Sequence, residues 1–149
     1  MLRPLEQWFC DTCGELIEST KHCYVLWRTD DNNKDYDFRI IHQSQCDSGG
    51  PDSSGPITDF LGTDGLTKLL TFLSLGRLRS TETGNDGLTV KNMDEFVDFF
   101  RRVQLPYYEE ARTKFGNSNF LDDYRDANEI QPYLQTALKR IIEKYDTEE

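Results

Sequence analysis

The chain has 149 residues, 27 acidic and 17 basic side chains, a formal net charge of −10 and an apolar fraction of 36%. That length supports one compact domain, or a small metal-stapled module packed on a second small unit, and the negative charge opposes binding to phosphate backbones. The longest apolar stretch, Leu66 to Leu75, is interrupted by Thr67, Lys68, Thr71 and Ser74 and cannot span a bilayer, and Met1 to Gln7 has no apolar signal core, so a cytoplasmic protein is expected.

Cys10-Asp11-Thr12-Cys13-Gly14 places two thiols two residues apart, with a glycine where a sharp turn needs positive φ. His42 and Cys46, separated by three residues, offer the second half of a Cys₃His set. Such a set fills a tetrahedral Zn²⁺ and leaves no position open for catalysis, so a structural zinc site is expected. Between the two pairs, Tyr24–Trp27 and Tyr36–Ile41 are rich in β-branched and aromatic residues, and Asp30–Asp35 is turn-forming. The predicted hairpin returns His42 to the knuckle. Cys23 is expected to be a buried free thiol and His22 a surface histidine, because neighbours on a strand face opposite ways and could not both serve one ion.

Two other readings of the knuckle compete. A disulfide requires an oxidising compartment. A redox dithiol is suggested by a loose similarity of Trp8-Phe9-Cys10-Asp11-Thr12-Cys13 to a thioredoxin active site, but that site opens a helix, whereas glycine and strand-like residues follow here. A nucleobase-deaminase zinc site needs Glu two residues after the ligand His, where this chain has Ser44.

The polar segment Ser44–Pro56 has little to bury and suggests a linker or loop over residues 48–59, separating a zinc hairpin module (1–47) from a helical domain (60–149). Residues 1–59 carry 11 acidic and 5 basic side chains, and residues 60–149 carry 16 and 12, so the metal module is the more acidic part. Beyond the linker, Leu66, Leu69, Leu70 and Leu73 repeat at helical spacing after Thr63-Asp64, with Gly76 as a stop. Thr83–Gly87 is turn-rich. Asn92 and Glu95 form a capping-box pattern ahead of a stripe of Met93, Phe96, Val97, Phe100 and Val103. Pro106 opens a third helix running toward Gly116. Phe120–Asp126 is expected to be a solvated connector. A last helix follows Asn128, with Leu134, Leu138, Ile141, Ile142 and Tyr145 on one face, and Asp146–Glu149 should fray. The predicted class is α+β: a zinc-stapled β-hairpin followed by about four short helices.

Through Cys46 the chain resembles zinc-ribbon and related zinc β-hairpin modules, on the strength of the Cys10–Gly14 knuckle. The resemblance implies Cys10 and Cys13 as the first ligand pair and His42 and Cys46 as the second, which departs from the usual second Cys-x-x-Cys. The remainder is similar to small bacterial proteins of unassigned function, on the string Pro106-Tyr107-Tyr108-Glu109-Glu110-Ala111-Arg112. No activity is implied. Arg101, Arg102, Tyr107, Tyr108 and Arg112 concentrate the residue types enriched at binding hot spots, so a non-enzymatic interaction protein that engages another protein is expected, and the acidic charge suits a basic partner. A nucleic-acid-binding regulator using the zinc hairpin and Arg101, Arg102, Arg112 and Lys114 is the alternative.

Overall fold

A short hairpin pairs β1 (Trp8–Phe9) with β2 (Leu16–Ile17), and the knuckle is the loop between them. The computed structural model describes residues 1–47, 49–50, 52–78 and 88–145, so the expectations for Thr83–Gly87 and Asp146–Glu149 lie outside the described residues. β3 (Cys23–Thr29) and β4 (Asp35–His42) form the long hairpin expected from their composition. Its turn closes on Asp30, whose Oδ1 accepts from the backbone N–H of Asn32 (2.8 Å) and Lys34 (2.9 Å), while Asn33 takes φ 60°. The acidic residue that opens this loop is therefore committed to its own turn.

A bulge interrupts the ladder. Leu26 pairs with Arg39 and Arg28 with Tyr36, so Asp37 and Phe38 together oppose Trp27, and Asp37 adopts φ 59°. Ile40 and Ile41 are adjacent on β4 and both fully buried, which requires cover on both faces of the sheet at that end.

The segment expected to be a linker adds a third strand. β5 (Ser53–Pro56) pairs antiparallel with β3, giving the order β4-β3-β5, and a 3₁₀ turn at Ile57–Phe60 then buries Ile57 and Phe60 completely. Both join the cluster that holds Trp8, Val25, Phe96 and Phe99. Apolar residues on either side of β5 share that cluster. Proline and glycine in β5 fit an edge strand.

Helix α1 (Gly62–Leu73) buries Gly65 and Leu69 and leaves Leu70 50% exposed, so its inward face is rotated from the expected leucine stripe. Gly65 explains the rotation: a Cβ there would lie 2.9 Å from Phe60 Cα and closer still to its carbonyl group. Only glycine lets the helix approach that backbone. Helix α2 (Met93–Gln104) starts as expected, with Asn92 Oδ1 accepting from Glu95 N at 3.1 Å. The Glu95 carboxylate, however, accepts from Phe38 N (3.0 Å), which ties the helix start to the bulge in β4. Its buried face is Phe96, Phe99, Arg102 and Val103, whereas Met93 is 45% exposed.

Three short helices complete the chain: α3 (Tyr108–Ala111), α4 (Ser118–Asp123) and α5 (Gln135–Lys144). The third helix is shorter than expected and passes into a 3₁₀ turn at Arg112–Lys114. α4 occupies the segment read as a connector, capped by Asn117, whose Oδ1 accepts from the N–H of Asn119 and Phe120. Leu134 precedes α5 and is 50% exposed, while Ala137, Leu138, Ile141 and Tyr145 turn inward. These helices enclose a second cluster of Tyr108, Ala111, Phe120, Leu138, Ile141 and Tyr145. The architecture is α+β, as expected. Among the described residues no helix is long and apolar enough to cross a membrane.

Candidate metal centre

The chain turns sharply after Trp8-Phe9, with Gly14 at φ 78°, Gly14 N donating to Cys10 O (2.9 Å) and Cys10 N to Glu15 O (2.9 Å). This closes the knuckle, and the backbone N–H of Thr12 points at Cys10 Sγ (3.4 Å). His42 ends β4 opposite Cys23, and the tight turn beyond it, with Ser44 at φ 72° and Cys46 N on His42 O (3.3 Å), swings Cys46 back.

The four donor atoms converge. Cys10, Cys13, His42 and Cys46 each offer one ligand atom, and all of these lie within 4.8 Å of one another. His42 Nδ1 is 3.5 Å from Cys13 Sγ and 3.8 Å from Cys46 Sγ. Metal–sulfur bonds of about 2.3 Å in a tetrahedron set neighbouring ligand atoms about 3.7 Å apart, so these separations match a single shared ion. His42 Nε2 lies 3.1 Å from the Leu16 carbonyl. A neutral ring donating there presents Nδ1 as a lone pair toward the sulfurs, the arrangement that orients metal-binding imidazoles.

Their surroundings move the Cys10 and Cys46 thiols in opposite directions. Burial works against the Cys10 thiolate, but hydrogen bonds from the Cys13, His42 and Thr12 backbones and from the His42 ring outweigh it and lower the thiol to about 6. Cys46 goes the other way: desolvation, with hydrogen bonding and charge from Cys10 and Cys13, raises it to about 11. A bound cation removes that conflict by neutralising the thiolates together. Cys23 stands apart as a fully buried thiol pushed by desolvation up to about 12, and His22 is exposed, both as expected.

Asp11, inside the knuckle, is the residue that sequence reading passed over. Its N–H donates to Ile40 O (2.8 Å) and its Oδ2 accepts from Ile40 N (2.8 Å), so the loop carrying Cys10 and Cys13 is bonded to the strand that carries His42. The same Oδ2 receives Arg102 NH1 at 2.7 Å. Arg102, 3% exposed, also binds both oxygens of Glu109 (2.7 and 2.9 Å) and the Phe9 carbonyl (3.2 Å). Burial opposes its charge, but Glu109 and then Asp11 outweigh that and hold the guanidinium ionised. Glu109 accepts from Phe9 N (2.9 Å), and the Trp8 indole donates to Arg102 O (2.9 Å). Arg102 lies outside the stripe of Met93, Phe96, Val97, Phe100 and Val103, so the sequence carried no local signal for its burial.

Two residues of the expected partner surface lie inside the fold. Arg102 and Tyr108 are each 3% exposed and already engaged, Tyr108 through its hydroxyl on Asp98, so neither presents a free side chain. Arg101 stacks 3.9 Å over the Tyr133 ring, Arg112 pairs with Asp98 at 3.6 Å, and Tyr107, at φ 71°, lies under Lys139 Nζ at 5.6 Å. These three remain partly exposed.

No protein-family model, curated protein or solved structure matches this chain. The site's own geometry therefore carries the functional reading.

Proposed function

We propose that the chain is a non-enzymatic interaction protein whose N-terminal half is held by one structural Zn²⁺ on Cys10, Cys13, His42 and Cys46. The convergence of three sulfurs and one imidazole nitrogen within 4.8 Å supports this reading. Thiolate and imidazole donors suit a borderline-soft divalent ion, and four protein ligands complete a tetrahedron without a place for water or substrate. A closed centre stabilises and shapes; it does not activate a nucleophile. The working surface is then made of protein, and the net charge of −10 favours a partner of positive charge.

The basic cluster proposed for nucleic acid loses support from its own pairings. Arg102 is spent on Glu109 and Asp11, and Arg112 on Asp98. Arg101 and Tyr107 are retained as the proposed contact residues for a protein partner.

The metal is tested by elemental analysis of the native chain together with melting before and after chelation. One zinc per chain and a chelator-dependent fall in melting temperature are expected. Metal-free protein with an unchanged melt overturns the reading.

A further inference from the structure

The ligands come from two chain segments that share no covalent rigidity. Cys10 and Cys13 sit in a loop, and His42 and Cys46 follow β4, so the separation of the two pairs depends on how firmly the loop is held to the strand. Asp11 supplies that hold with its paired bonds to Ile40, two residues before His42. Its carboxylate is in turn fixed by Arg102, at 2.7 Å. Arg102 is kept in place by the bidentate Glu109 of α3, and Glu109 returns to Phe9, next to Cys10. The chain of bonds is closed, and among the described residues no buried side-chain nitrogen or oxygen is left unpartnered.

We infer that Arg102, acting through Asp11, is a positioning residue for the metal centre: it sets the first ligand pair against the second. Metal binding and the seating of the α2–α3 junction are then two sides of one equilibrium, since loading the centre fixes Asp11, and a fixed Asp11 completes the shell around the buried guanidinium. A charge removed from water is tolerated only with its partners in place, so the metal-free state leaves Arg102 short of one carboxylate whenever the knuckle opens. Linkage makes the coupling reciprocal: whatever loosens the junction weakens the metal. This inference rests on the metal reading above.

Asp11→Asn is the direct test. It preserves the backbone bond to Ile40 O and an oxygen for Ile40 N, and removes the charge that Arg102 meets. Metal affinity is read by competition with a chromophoric chelator, and the ligand field by the visible spectrum of the Co²⁺-loaded chain. Loss of a partner behind metal ligands typically weakens binding by roughly 10- to 100-fold, so a drop of about 10-fold and a shifted Co²⁺ spectrum are expected, with far-UV circular dichroism unchanged. Arg102→Lys is the second variant. It keeps the charge but cannot reach Asp11, Glu109 and Phe9 O together, and an intermediate loss is expected.

If both variants fold and bind with wild-type affinity and spectrum, the inference is overturned while the metal reading stands. If the unaltered chain itself takes up no Zn²⁺ or Co²⁺, the metal reading fails and this inference with it. A third measurement needs no substitution: metal loading of the native chain is expected to raise hydrogen-exchange protection at the Phe9 amide and the Trp8 indole, which bond to Glu109 and Arg102. Unchanged protection at both sites also overturns it, including where a variant fails to fold.

Discussion

The two cores of this protein differ in how far along the chain they reach. The first draws on residues from Trp8 to Val103 and stacks Trp27, Phe38, Phe60, Phe72, Phe96 and Phe99 between sheet and helices, with rings 5.1–6.3 Å apart. The second draws its buried residues from Tyr108 to Tyr145 and leans on tyrosines whose hydroxyls reach carboxylates: Tyr108 to Asp98, and Tyr145 to Asp123 at 2.5 Å. Long-range assembly closes many loops before any contact rewards it, and a cation bound by Cys10, Cys13, His42 and Cys46 would offset part of that cost. The local core manages with aromatic packing and short caps.

The sharpest way to break this comparison is Cys13→Ser. Structural zinc contributes on the order of 10 kcal/mol in small peptide modules, comparable to a domain's whole stability. The first core is expected to lose cooperative melting while the α5 amides keep more of their exchange protection; equal loss in both regions would show that they unfold as one. Next come Phe99→Ala and Leu138→Ala, each removing a buried anchor at a cost of about 3–5 and 2–5 kcal/mol respectively. Chemical denaturation with metal titration should find weakened metal retention after Phe99→Ala and nearly native retention after Leu138→Ala.

Gly65→Ala is a smaller perturbation, confined to the contact of α1 with Phe60. A loss of about 1–3 kcal/mol is expected from the forced backbone shift, where an ordinary helix-interior glycine would gain stability on the same change. Smallest is Asp123→Asn. Hydrogen bonds from Tyr145 and Lys144 lower the Asp123 carboxyl, so its contribution is present above the unfolded value of about 3.9 and fades as pH falls through its folded one. The variant should lower the neutral melt slightly and converge with the native chain in acid, which flattens that limb in a pH series of melts.

Local chemistry made much of the fold readable. The knuckle, the Asp30 turn, the β3–β4 hairpin and the Asn92 cap each follow from residues within a few positions of one another. All four metal-site candidates were legible from spacing, and the structure brings them together. What escaped reading depends on distant partners. β5 looks like a linker because Ser53-Ser54-Gly55-Pro56 has no strand propensity of its own and takes its conformation from β3. The inward face of α1 is set by the Phe60 backbone against Gly65, not by the leucine repeat. Arg102 reads as surface charge because Asp11, which meets it, lies 91 positions away.

Cys23 gives the molecule a silent thiol. Fully buried and held far from ionisation at neutral pH, it should ignore alkylating reagents for as long as the fold persists. Of the four cysteines in the sequence, Cys10 is buried as well, so the thiols within reach of such a reagent are the exposed Cys13 and the half-buried Cys46, both members of the proposed ligand set. Protection of those two sulfurs on adding Zn²⁺ would therefore report loading of the proposed centre, with no substitution introduced.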